Sequence, residues 1–66
     1  MKLPIGQLIK IIVDEREPPL LAVVTKKLDD AYELTWSSGH KMKKQIITCH
    51  DLLGEFSAGH YKLVID

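Results

Sequence analysis

Apolar and polar residues alternate along most of this chain with a period of two, the repeat by which a strand covers one face and wets the other. The stretch "AYELTWSSGHKMKKQ" shows it most cleanly. Tyr32, Leu34 and Trp36 fall on one parity and Glu33, Thr35 and Ser37 on the other, before Ser38 and Gly39 turn the chain into a basic run. Five stretches rich in β-branched and aromatic residues, each closed by a turn signal, predict strands over residues 7–13, 20–27, 31–37, 43–48 and 60–65. In the first, Ile9, Ile11 and Val13 share one face and Leu8, Lys10 and Ile12 the other. In the second, Leu21, Val23 and Thr25 alternate against Leu20, Ala22 and Val24, so both faces carry apolar side chains. The last places Tyr61, Leu63 and Ile65 together.

The breaks between strands have their own chemistry. "DEREPP" holds two prolines that cannot donate to a ladder and four charged residues that need water, which predicts an exposed loop. Asp29 and Asp30 make the next turn, and Gly39 supplies a positive φ for the "SSGH" hairpin. Thr48 and Asp51 have the spacing of a helix N-cap followed by an acid near the positive end of the helix. A helix of one or two turns is expected there, with Leu52, Leu53 and Phe56 inward and Gly54 and "SAG" limiting its length.

The chain has 66 residues, which allows one domain and a small core that gains stability from association. At 45% hydrophobic and 27% charged it has the composition of a folded domain. Nine basic residues balance nine acidic ones, so no whole-molecule field steers it toward nucleic acid or an anionic membrane. The lone Cys49 cannot form an internal disulfide and points to a reducing, cytoplasmic setting. Apolar runs are too short to span a bilayer, and neither signal peptide nor membrane anchor is expected.

Five short strands, a polar loop after the first and a helical turn before the last add up to a small antiparallel barrel. In this order of elements the chain resembles the SH3-like small barrels, the class that includes KOW, Tudor and related bacterial modules. "DEREPP" stands where such barrels place a long first loop and "CHDLLGEF" where they place a helical turn. The resemblance implies a mainly β, five-stranded fold with one short helix before the last strand. It carries over no binding residues. "LLAVVTKK" has no glycine where KOW modules typically carry one, and "DEREPP" has no aromatic for a proline-peptide groove.

Candidate chemistry is sparse. Cys49, His50 and Asp51 have the residue types of a nucleophilic site, but neighbours at a strand-to-helix junction diverge and cannot converge on one atom. His40, Cys49, His50 and His60 are zinc-ligand types without the closely spaced ligand pair that starts a structural site, so no metal and no cofactor are expected. With no paired carboxylates or phosphate loop, no catalytic residue is assigned, and neither an enzymatic activity nor a small-molecule substrate is expected.

Two binding surfaces remain. Leu8, Ile12, Leu20 and Leu21 lie on faces where an isolated barrel needs only polar residues, which predicts a protein interface with a second copy or a larger partner. The alternative is a nucleic-acid surface in which Tyr32 and Trp36 stack on bases while His40, Lys41, Lys43 and Lys44 track phosphates. Against it, the only Trp of so short a chain is expected to fill the core.

Overall fold

A computed structural model of the protein describes residues 2–65. The elements are β1 (Leu8–Ile11), β2 (Leu20–Lys27), β3 (Ala31–Ser38), β4 (Lys41–Thr48), α1 (Cys49–Ser57) and β5 (Tyr61–Leu63). All strands join one antiparallel sheet in the order β4-β3-β2-β1-β5, and no pairing joins β4 to β5. The fold is therefore mainly β with five strands and one helix, as the alternation predicts, but the sheet is open rather than a closed barrel. Between its two outermost strands lies α1, which packs on both of them.

Pairing sets the faces. Ile9 sits opposite Ala22 and Leu63, Val24 opposite Leu34, and Tyr32 opposite Ile47. These side chains line the inner face, where Ile9, Ala22, Val24, Leu34 and Leu52 of α1 are fully buried. Leu3 closes the cluster from the N-terminal arm, its amide donating to the Tyr32 hydroxyl at 3.0 Å. Phe56 and Tyr61 meet edge to face with ring centroids 6.1 Å apart, tying α1 to β5.

The local signals operate largely as expected. Gly39 has φ of 64° in the β3–β4 hairpin, and the Thr48 hydroxyl accepts the Asp51 amide at 3.1 Å as the N-cap of α1. The helix does not stop at Gly54 but runs for nine residues, about two and a half turns. Beyond its last residue, Ser57, the Gly59 amide reaches the Phe56 carbonyl, and the φ of 82° at Gly59 turns the His60 amide back onto the Glu55 carbonyl. Those two bonds form a Schellman cap.

Other expectations are corrected. Leu53 is 47% exposed while Leu52 is buried, because consecutive helical residues point about 100° apart. Val13 lies beyond the end of β1 and is exposed, the ladder having given way to a turn in which Asp14 accepts the amides of Arg16 and Glu17. Ile65 likewise lies past β5 and is exposed. In β4 the ladder reaches back to Lys41, two residues before the predicted start.

Candidate functional site

Among the described residues, the buried side chains of the helix and the N-terminal arm belong to the inner cluster, on the side of the sheet away from its outer face. Its occupants follow from register. Leu8 faces Val23, Lys10 faces Leu21 on one side and Lys62 on the other, and Thr35 faces Val23 and Lys44. A bulge at Thr25 shifts the parity of β2, so Lys26 and Ile46 flank Glu33 on this same face. There the Thr25 hydroxyl donates to Glu33 Oε1 at 2.7 Å and, its one proton spent, accepts from Thr35 at 2.9 Å. This network satisfies Thr35, which neighbouring side chains cover to 6% exposure.

Of the proposed interface set, Leu8 and Leu21 stand on this outer face at 38% and 54% exposure. Leu20 does not join them. It pairs with Ile11 and belongs to the inner face, half-buried, because a register fixed by Ile9 opposite Ala22 gives the two leucines opposite sides. Ile12 follows β1, is half-buried, and donates its amide to the His60 carbonyl at 2.7 Å.

The hairpin set also divides. Tyr32 is 1% exposed with its hydroxyl on the Leu3 amide, so no base can stack on it. Trp36 packs against the core but is only half-buried, between Ala22 and Lys43. Lys41 and Lys43 share its face, Lys44 projects on the opposite one, and His40 is exposed in the turn. Of the six residues, Trp36, Lys41 and Lys43 thus share one face.

Three observations lay outside what alternation reveals. The first is charge segregation. The strands hold Lys10, Lys26, Lys27, Lys41, Lys43, Lys44 and Lys62 with Glu33 as their one acid, while most other carboxylates sit in loops and on α1. The second is the juxtaposition of Lys10 with Lys62, like charges directly opposite in a ladder. Among the described residues the one ion pair is His60 with Glu55 at 3.1 Å, so no carboxylate relieves these lysines. The third is an open groove of about 600 Å³ between the end of β4, α1 and Tyr61, lined by Gln45, Ile47, Asp51, Gly54 and Glu55 among others. Burial, and secondarily the charge of Glu55, raises the Tyr61 phenol above its ordinary 10.0, so it stays a protonated donor at neutral pH.

The reactive residue types are not assembled. Cys49 is a half-buried free thiol packed on the core, while His50 and Asp51 are exposed on α1. Among the described residues no three His, Cys, Asp or Glu side chains are grouped to hold a metal. Nor is any described helix long and apolar enough to cross a membrane. No family model, no curated protein and no solved structure matches the chain.

Proposed function

We propose that this chain is a non-enzymatic protein-interaction module that binds a protein partner through the outer face of its sheet. The observation that carries the reading is Lys10 set between Leu21 and Lys62, beside Leu8. An exposed apolar centre supplies area to bury, and a like-charge pair left uncompensated supplies a reason for the complementary surface to be acidic. The same pair argues against a second copy as the occupant, since two such faces would bring four lysines together. The partner therefore presents apolar side chains rimmed by carboxylates.

The test is affinity capture from the native host with wild-type protein and with Leu21→Glu and Lys10→Glu, each first shown to be folded by its thermal transition. A partner held by the wild type and lost by both variants supports the reading, and one captured equally by all three moves binding off this face. Light scattering at low salt is expected to show a monomer.

A second reading has one specific support, the cross-strand neighbours Trp36 and Lys43 with Lys41 on the same face. In it the hairpin is a single-strand nucleic-acid platform. Binding of a mixed-sequence single strand would then fall steeply with salt and weaken on Trp36→Ala.

A further inference from the structure

The open side of the sheet is a site of a different kind, and it does not depend on the outer-face reading. The Cys49 amide donates to the Asp30 carbonyl at 2.7 Å. The β3–β4 register from Ala31 opposite Thr48 to Ser38 opposite Lys41 has no bulge. Hydrogen-bonded pairs alternate along an antiparallel ladder, so Ile47, Gln45, Lys43 and Lys41 spend their backbone groups on β3. By the same parity Met42, Lys44 and Ile46 point their N–H and C=O groups away from the sheet.

This edge is long for one left open. β4 has eight residues, of which only Ile47 is buried, and beside its C-terminal half lies the groove walled by α1 and Tyr61. Lysines on an edge ordinarily discourage pairing with other strands. Here Lys41, Lys43 and Lys44 occur with no acid on β4 and in no ion pair among the described residues. Such an edge repels basic and neutral strands less well than it attracts an acidic one, because opposite charges across a ladder are mutually stabilising. Asp51 and Glu55 border the groove at the other end, which confines the attraction to the Lys41–Lys44 half.

We propose that the free edge of β4 is a strand-addition site for an extended, acidic segment of another protein, its carboxylates opposite Lys41–Lys44 and its uncharged half beside α1. Main-chain bonds to Met42, Lys44 and Ile46 supply affinity, and the lysines supply selectivity. The added strand lies antiparallel, the more stable pairing, with its acidic half C-terminal.

The test uses two synthetic peptides that alternate threonine and valine in the N-terminal half and differ in the C-terminal half, where valine alternates with glutamate in one and with lysine in the other. Binding to the full chain is followed by fluorescence anisotropy and by amide hydrogen exchange. The glutamate peptide is expected to bind at least tenfold more tightly than the lysine peptide. It should slow exchange at Met42, Lys44 and Ile46 at least tenfold while leaving Lys43 and Gln45 unchanged. Lys43→Glu combined with Lys44→Glu, exposed positions on the two faces of β4, should keep the thermal transition and reverse the preference between peptides. Lys44→Pro, which deletes an outward donor that β3 does not use, should abolish binding of the glutamate peptide. Equal binding of both peptides, binding of neither, or slowed exchange elsewhere than on β4 would overturn the proposal. So would displacement of the glutamate peptide by a single-stranded oligonucleotide, which would assign the lysines to phosphate.

Discussion

β3 and β4 are the same length, joined by one hairpin and paired residue for residue along it, yet their surroundings are opposite. Four of the eight positions of β3 are buried, two more are half-buried and only its hairpin end is exposed, whereas β4 buries Ile47 alone. Both strands have an inner face, so side-chain direction does not explain the contrast. What differs is the neighbour on the far side. β3 has β2 there, with α1 and the Leu3 arm over its first half, and β4 has water. On β4 the inner-facing Lys41, Lys43 and Gln45 remain exposed because the cover provided by α1 reaches only its C-terminal end. The lesson is that pairing makes a strand, while covering on a face and continuation on an edge make a core.

Substitutions in the two strands should break or sharpen that contrast. The largest effect is expected at Leu34, buried completely between Val24 and Gln45. Leu34→Ala should cost about 3 kcal/mol, read as a fall in urea midpoint, and a loss comparable to that of a surface site would mean the inner face is poorly packed. Trp36 sits where β3 leaves its cover. Its half-buried ring should make Trp36→Ala cost about 2 kcal/mol, less than a fully enclosed Trp, with native fluorescence that is only partly shielded from acrylamide. Complete protection from quenching would place the ring in the core and weaken the nucleic-acid reading further.

At the junction of β4 and α1, Thr48→Ala removes the acceptor of the Asp51 amide and should cost about 1 kcal/mol. An unchanged midpoint would show that the cover over Ile47 does not depend on the cap. Smallest of all should be Ile46→Thr on the outer side of β4, a β-branched exchange at 62% exposure, with a change below about 0.5 kcal/mol. A large loss there would mean that the open edge is occupied in solution, as by a second copy, and would make stability depend on protein concentration.

Much of the local architecture was legible before any pairing was known. Thr48 with Asp51 marked the helix start, Gly39 marked the hairpin, and the parity of Tyr32, Leu34 and Trp36 is the one observed, because caps, turns and alternation are decided within a few residues. The candidate interface was less legible. "LLAVV" is apolar on both parities, so alternation alone has no means of separating Leu20 from Leu21, and the separation came from Ile11 lying opposite one and Lys10 opposite the other. The Lys10–Lys62 pair joins residues from the two ends of the chain and has no short-range signature.

The sequence by itself determined where the strands begin and end to within a residue or two, where the helix starts, that one face of β3 is apolar, and that the loop after β1 is acidic, since each depends on short-range sterics, hydrogen bonding or hydration. The tertiary structure alone decided that β4 lies at an edge with its outward amides free, that Tyr32 is enclosed while Trp36 is half-open, and that lysines distant along the chain meet on one face of the sheet. Those outcomes rest on which strands pair and what covers them, a choice made by the burial of the whole chain rather than by any segment of it.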